Sequence, residues 1–236
     1  MAFYSGQKLG AYVLEYRLGV GGAAEVWAAH HERLHMPVAL KLLRVTSEAA
    51  RARLLREGRA QTALQHPNIL PVRDILEGTD LAGLILPLVE GVSLRALLQK
   101  TPLTESETVA LIRAILDGLA HAHHKGLVHR DLKPGNILLD LSRHGVAPRI
   151  ADFGLVKGTP DEFETEADIG MGTPKYAAPE QQLDAGGVDH RADLFSLGVL
   201  MVEMLTGKNP FNGRRLRQTQ LVHRNVPPLP GLDARG

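Results

Sequence analysis

Polar side chains in the middle of the chain have the types and spacing expected of a site for a metal ion and phosphate. The motif HRDLKPGN places Asp131, Lys133 and Asn136 within one short stretch. Asp152 follows Asn136 by sixteen residues and begins the tripeptide DFG. Because carboxylate and amide oxygens suit a hard cation such as Mg²⁺ with bound phosphate, the two motifs together indicate such a site.

A glycine-rich segment near the N-terminus is a second candidate phosphate-binding element. The segment LGVGGAAEV, residues 18–26, lies between two predicted strands, and its glycines let backbone amides approach an anion closely. Taken alone, such a glycine run is more often a plain hairpin turn. Lys41 lies in an apolar run and is costly to bury unless it pairs with an anion, although a lysine at a strand edge can also reach solvent.

The elements that position these residues change in character near residue 90. Before it, alternating or apolar runs predict strands, and one segment with a 3.6-residue period predicts a helix that ends at the HPN tripeptide. The predicted strands are residues 12–18, 25–29, 37–43 and 83–89, and the predicted helix is residues 47–64.

After residue 90 the pattern is mainly helical. Thr104 and Glu107 form a predicted capping box, and Gly126 closes the helix that follows. The apolar positions on one face of that helix are Val109, Ile112, Leu116 and Leu119. A second helix is predicted over residues 189–206, and the long stretch 127–180 between the two helices is expected to be a functional loop region.

Composition limits the class of protein. The chain has 236 residues, of which 44% are hydrophobic and 22% charged, and its net charge is +1. This near-neutral balance argues against a nucleic-acid or membrane-surface partner. With no cysteine, the chain has no disulfide, thiolate metal site or cysteine nucleophile. No signal or membrane-spanning segment is evident, so a cytoplasmic location is expected.

Taken together, HRDLKPGN, DFG and GTPKYAAPE resemble the protein kinase family, specifically its Ser/Thr kinases, over residues 10–226. Two further short motifs, HPN and APEQ, are similar to those of bacterial, eukaryotic-like members of the family. The resemblance implies an α+β, two-lobed fold with a small β-rich N-lobe (10–89), a larger helical C-lobe (90–226) and ATP in the cleft. It implies transfer of the ATP γ-phosphate to Ser or Thr of proteins with Mg²⁺ or Mn²⁺, including autophosphorylation, which a dimer would serve.

The resemblance also assigns roles to individual residues in phosphoryl transfer. Asp131 matches the base that orients the substrate hydroxyl, and Lys133 matches the residue that neutralises the γ-phosphate. Asn136 and Asp152 match the metal ligands. Lys41 matches the lysine that holds the α- and β-phosphates, and Glu57 matches its helix partner. The other ATP-binding positions implied are Gly19, Val20, Gly21, Gly22, Val26, Ala39, Leu86, Pro87 and Val89.

Further positions resemble those that regulate kinases. Thr165 is a candidate phosphorylation site in a loop that follows DFG, although a solvated loop threonine is the alternative. Thr173 matches the threonine that contacts Asp131 and Lys133. The regulatory set implied by the resemblance is Arg130, Phe153, Gly154, Thr165, Thr173 and Glu180.

Other features bear on activity. Gly58 is expected to weaken the helix over residues 47–64 by roughly 1 kcal/mol relative to alanine and to let it move. Asp193 resembles a buried aspartate that braces the catalytic loop. His121, His123 and His124 could bind a metal, but a solvent-prone helix end is the simpler interpretation.

The resemblance also predicts that the C-lobe lacks its last helices and ends in a linker-like tail, residues 227–236, as a truncated chain would. An alternative function is therefore a pseudokinase or regulatory fragment that binds nucleotide without efficient transfer. A pure interaction scaffold is the third alternative.

Overall fold

The computed structural model describes residues 2–21, 24–44, 48–78, 81–143, 145–153, 175–183 and 188–211. They belong to two compact units, Met1–Glu90 and Gly91–Gly236. The first unit is a β-sheet with one helix, and the second is mainly helical with a small sheet. The expected α+β class, with a β-rich part followed by a helical part, is therefore confirmed.

Within its described residues, the first unit is built on one antiparallel sheet with the strand order β1-β2-β3-β4-β6-β5. All four predicted strands are present. The predicted helix is also present, and each of its ends lies within two residues of the predicted range. The elements are β1 Lys8–Leu9, β2 Tyr12–Val20, β3 Ala24–His31, β4 Pro37–Arg44, α1 Glu48–Thr62, β5 Asp74–Gly78 and β6 Leu81–Pro87.

The second unit combines short strands with two long helices. Its small antiparallel sheet has the order β7-β8-β9. The elements are β7 Gly91–Ser93, α2 Leu94–Leu98, α3 Glu105–His124, a 3-10 turn Pro134–Asn136, β8 Ile137–Arg143, β9 Gly145–Ile150, α4 Pro179–Leu183 and α5 Arg191–Thr206. Among the helices of the described ranges, none has the length and apolar character needed to cross a membrane.

The two faces of the six-stranded sheet have different roles. Leu40 and Leu42 of β4 are buried in a core that also contains Leu14 and Trp27. Because successive side chains of a strand point to opposite faces, the alternate residues of β4 lie on the other face. That second face carries Lys41, and α1 packs against its β6 end.

Gly58 makes this close packing of α1 possible. A Cβ atom at position 58 would lie 2.8 Å from Leu84 Cδ2 and 3.4 Å from Ile75 Cδ1. Leu84 is fully buried, so its side chain has little room to move aside. The predicted weakening of α1 by Gly58 stays a prediction, and the structure adds a packing role: the missing side chain lets the helix approach the sheet.

Gly58→Ala is expected to lower stability by about 1 kcal/mol, because overpacking outweighs the gain in helix propensity. Gly198 is the matched control: it lies in the interior of α5, and a Cβ there would meet nothing within 4 Å. Gly198→Ala is expected to raise stability by about 0.5–1 kcal/mol. Urea unfolding of both variants measures the difference, and equal stabilisation by both would contradict the packing role of Gly58.

Helix α3 begins as predicted. Thr104 Oγ1 accepts the N–H of Glu107 at 3.3 Å, and Glu107 Oε2 accepts the N–H of Thr104 at 2.8 Å. The buried face of α3, however, is shifted by one position from much of the predicted stripe. Val109 and Leu116 are exposed by 43% and 39%. The buried positions are Thr108, Leu111, Ile115, Gly118, Leu119 and Ala122.

The stretch 127–180 contains a β-hairpin that the sequence interpretation missed. Strands β8 and β9 pair from Ile137↔Ile150 to Arg143↔Gly145. Asp140 interrupts the apolar pattern of β8, yet it is buried and accepts two hydrogen bonds from Arg149, at 3.1 and 3.0 Å. The Ser142 hydroxyl, 2.6 Å from Asp140 Oδ1, is the main cause of the lowered pKa of Asp140, and Arg149 adds to it. Because Ile137 pairs with Ile150, this hairpin brings Asn136, just before β8, close to the residues just after β9.

Candidate active site

In the first unit, five of the residues assigned to ATP binding lie in register on one part of the sheet. Val26 of β3 pairs with Lys41 of β4, and Ala39 pairs with Leu86 of β6. Gly19 of β2 pairs with Val26. Directly paired residues share a face, as do residues two apart on one strand. Residues from four separate places in the sequence are thus brought to the face that carries Lys41.

Helix α1 lies next to Lys41 on this face. Leu84, which Gly58 approaches, is the direct partner of Lys41 on β6. Glu57 precedes Gly58 in α1, so its backbone lies close to the strand pair that carries Lys41. The Glu57 side chain lies outside the described part of the structure, and its ion pair with Lys41 stays a prediction.

The glycine-rich segment connects the antiparallel strands β2 and β3. The N–H of Gly21 donates to Ala24 O at 2.8 Å, so this amide already has a partner within the segment. A Cβ at Gly19 would meet nothing within 4 Å, which leaves open space beside the strand. Val20 is exposed, whereas Pro87, the last residue of β6, and Val89, two residues beyond it, are half-buried. Gly22 lies outside the described residues.

In the second unit, Asp193 of α5 holds the backbone of the segment that precedes Asp131. Its carboxylate is completely buried. Oδ2 accepts the N–H of His129 at 2.8 Å, and Oδ1 accepts the N–H of Arg130 at 2.8 Å. His123 Nε2 lies 2.7 Å from Oδ2. The expected bracing contacts of Asp193 are therefore present, and His123 adds to them.

The His129 ring connects the segment of Asp131 to that of Asp152. Its Nδ1 accepts the N–H of Asp131 at 3.2 Å, so Nε2 carries the proton and donates to Ala151 O at 2.9 Å. The ring is fully buried and lies 4.8 Å, centroid to centroid, from the buried ring of Phe153. One imidazole thus fixes the peptides that precede both acidic residues.

Arg130 and Asp152 both adopt left-handed backbone conformations, with φ angles of 63° and 62°. Such angles are uncommon for residues other than glycine and mark strained positions that the surrounding contacts must hold. Both residues adjoin the hydrogen bonds of His129. Two of the three non-glycine residues with positive φ among the described residues therefore lie in the motifs that the sequence singled out, and the third, His35, lies between β3 and β4.

Two side chains of the HRDLKPGN segment converge on one oxygen of Asp131. Lys133 Nζ lies 2.9 Å from Asp131 Oδ2, and Asn136 Nδ2 donates to the same oxygen at 3.2 Å. Asn136 Nδ2 also donates to Asp131 O at 2.8 Å, and Ala151 N donates to Asn136 O at 2.8 Å. Because Asp152 follows Ala151 directly, Asn136 and Asp152 are held close together at the open end of the β8–β9 hairpin.

The remaining regulatory positions are only partly described. The Arg130 guanidinium donates weakly to Val188 O at 3.4 Å, and Glu180 is exposed in α4. The other predicted positions lie outside the described residues: Gly154, Thr165, Thr173 and the tail 227–236.

One of the three histidines near the end of α3, His123, has a structural role. His123 is bonded to the buried Asp193, so it does not lie in solvent as the sequence interpretation assumed. Its ring also contacts that of His190 at 5.5 Å between centroids. Within the described ranges, no group of three or more His, Cys, Asp or Glu side chains is arranged to hold a metal ion.

Two polar residues of the site were missed in the sequence. Gln181 donates to Arg130 O at 2.7 Å, and Tyr176 donates from its hydroxyl to Glu203 Oε2 at 2.6 Å. Burial, followed by the bond to Glu203, strongly raises the pKa of Tyr176. Both residues flank the APE tripeptide, which was the available signal, but nothing local identified their distant partners.

Comparison with known proteins places these arrangements in one family. Residues 12–227 match the protein kinase domain. Serine/threonine-protein kinase pkn2 of Myxococcus xanthus is 38% identical over 219 residues, which are 90% of this chain and 26% of that protein. PknL of Mycobacterium tuberculosis is 38% identical over 206 residues, 86% of this chain and 51% of that protein.

The fold agrees with the sequence comparison. The crystal structure of the Mycobacterium tuberculosis PknI kinase domain is similar, with a TM-score of 0.71 and 29% sequence identity. The matched region is 89% of this chain and 79% of the PknI chain. The chain spans only 26% to 51% of the length of these two curated relatives. The match to the protein kinase domain nevertheless covers residues 12–227 of this chain, so the chain belongs to the protein kinase family and has that family's two-lobed fold.

Proposed function

We propose that this chain transfers the γ-phosphate of ATP to serine or threonine hydroxyls of proteins. The observation that carries the proposal is the arrangement around Asp131. Its carboxylate contacts Lys133 at 2.9 Å and Asn136 at 3.2 Å, on a loop that the buried Asp193 holds. The relatives named serine/threonine-protein kinases support the same reaction class.

The residues present suit Mg²⁺ or Mn²⁺ as the cofactor. Asn136 Nδ2 donates to the backbone oxygen of Asp131 and to its carboxylate Oδ2. The amide oxygen of Asn136 is therefore the atom that would bind a cation. With the Asp152 carboxylate, this makes an all-oxygen ligand pair of the kind that hard divalent cations prefer. When bound, the ion neutralises charge on the ATP phosphates.

The side chains then divide the work of phosphoryl transfer. Asp131 accepts a hydrogen bond from the substrate hydroxyl and orients it, and Lys133 stabilises the negative charge that is transferred. Lys41 binds the α- and β-phosphates, and Glu57 orients Lys41. Because there is little covalent chemistry for the protein to perform, positioning supplies most of the rate. ATP as donor makes the cytoplasm the proposed location, and phosphorylation of Thr165, with a dimer to accomplish it, remains a prediction.

Asp131→Asn tests the proposal most directly. The substitution keeps the shape of the side chain but removes its charge, and we expect kcat to fall by about 10²–10⁴-fold, the range typical of a lost general base. The measurement is transfer of labelled phosphate from Mg-ATP to a basic protein rich in Ser and Thr. Asp117→Asn, at an exposed position of α3, is the matched control and should leave kcat unchanged.

Two outcomes would contradict the proposal. Equal transfer by wild type and Asp131→Asn would mean that another protein in the sample supplies the activity. Stabilisation of the wild type by Mg-ATP on heating, without any transfer, would show a nucleotide-binding module in place of an enzyme.

A further inference from the structure

Gln181 connects two segments that are far apart in the sequence. The side chain is buried, at 4% exposure. Its Nε2 donates to Arg130 O at 2.7 Å, and its Oε1 accepts the N–H of Ala178 at 2.9 Å. One side-chain amide therefore joins the start of α4 to the residue that precedes Asp131.

The contacts leave the amide a single orientation. Ala178 offers an N–H, which requires an oxygen opposite it, and Arg130 offers a carbonyl, which requires a donor. The N–H of Gln181 also donates to Ala178 O at 3.1 Å, which completes a reciprocal pair at the first turn of α4. Rotating the amide by 180° would place like groups against each other at both ends.

The bond to Arg130 completes the restraint of a strained backbone. The N–H of Arg130 is held by Asp193 at 2.8 Å, and its carbonyl is held by Gln181. The same peptide group carries the N–H of Asp131, which donates to His129 Nδ1 at 3.2 Å. Because Arg130 has a φ angle of 63°, the plane of this peptide depends on contacts from outside the loop.

We propose that Gln181 is a positioning residue for Asp131, and that through it the placement of α4 sets the orientation of the catalytic carboxylate. The inference rests on the proposed kinase function for its catalytic consequence. Its structural part, the restraint of the Arg130–Asp131 peptide by a side chain of α4, stands independently of that function.

Two substitutions separate the bond from the volume of the side chain. Gln181→Glu keeps an oxygen for Ala178 but turns the other end into a carboxylate oxygen that faces Arg130 O. Gln181→Met fills the space without either bond. We expect kcat to fall by about 10²-fold in both folded variants, because a small displacement of a reacting group costs that much, while the KM for ATP stays within about twofold.

A pH profile distinguishes positioning from general damage to the fold. A protonated carboxyl group can donate to Arg130 O, whereas a carboxylate cannot. The kcat of Gln181→Glu relative to wild type is therefore expected to rise from about pH 8 to about pH 6, and that of Gln181→Met is expected to stay constant. Gln99→Glu, the same change at an exposed position after α2, is the matched control and should match wild type throughout.

Amide hydrogen exchange tests the structural part without any turnover. Both Gln181 variants should exchange the amide of Asp131 about tenfold faster than wild type, with no change in the strands of the first unit. Folded variants with wild-type kcat and wild-type exchange at Asp131 would overturn the proposal. If the wild type transfers no phosphate, the proposed function fails, and the exchange measurement still decides whether Gln181 holds this peptide.

Discussion

Asp193→Asn is expected to lower the free energy of unfolding by about 3 kcal/mol and to remove most phosphoryl transfer. The carboxylate is completely buried and accepts hydrogen bonds from the N–H groups of His129 and Arg130, both at 2.8 Å. Asparagine has the same shape but replaces one oxygen with an NH₂ group. One backbone N–H would then face another donor inside the protein, where no water can compensate.

The catalytic consequence follows from the same geometry. Loss of either bond frees the strained segment that precedes Asp131, so kcat should fall by about 10²-fold in the fraction that remains folded. Urea unfolding and initial rates of phosphate transfer measure the two effects. Asp189→Asn, at a half-exposed position two residues before α5, is the control. If Asp193→Asn behaved like this control, the brace would have no energetic importance.

Gly91→Ala is expected to destabilise the second unit by about 3 kcal/mol or more. A Cβ atom at position 91 would lie 1.8 Å from Leu139 O and 2.9 Å from the carbonyl carbon of Leu139. These are backbone atoms of the neighbouring strand, so no change of rotamer relieves the clash. Strands β7 and β8 would have to separate, with loss of the Gly91↔Asp140 pairing.

The damage should reach the active site because β8 begins directly after Asn136. We therefore expect loss of both thermal stability and phosphate transfer in Gly91→Ala. Gly135→Ala provides the control for stability, since a Cβ there would meet nothing within 4 Å. The measurement is the melting temperature of each variant. If Gly91→Ala were as stable as Gly135→Ala, strands β7 and β8 would accommodate the added methyl group at little cost.

Local sequence patterns predicted those features whose residues lie close together in the chain. The capping box of Thr104 and Glu107 forms as predicted, because both partners belong to the same turn. The contacts among Asp131, Lys133 and Asn136 could be anticipated because these residues lie within six positions of one another, and their catalytic roles stay predictions. The contact of Asp193 with this loop was expected only through resemblance to the kinase family.

The remaining features depend on tertiary contacts that no local pattern contains. Helix propensity gave the cost of Gly58 in an isolated helix, but not the proximity of Leu84, which would lie 2.8 Å from a Cβ atom added at position 58. The apolar stripe of α3 included Val109 and Leu116, and only the packing of neighbouring elements shows that these side chains are exposed. Gln181 acts on a carbonyl 51 residues away in the sequence, a distance at which residue type alone predicts no partner.

The left-handed backbone angles of Arg130 and Asp152 have a consequence for directed evolution. Glycine or asparagine would occupy either position with less conformational energy, so selection for thermal tolerance alone would favour such replacements. The same replacements would discard the guanidinium at one position and the carboxylate at the other. Libraries screened for heat resistance and libraries screened for turnover should therefore select different residues at positions 130 and 152, because thermal stability and catalytic rate favour different side chains there.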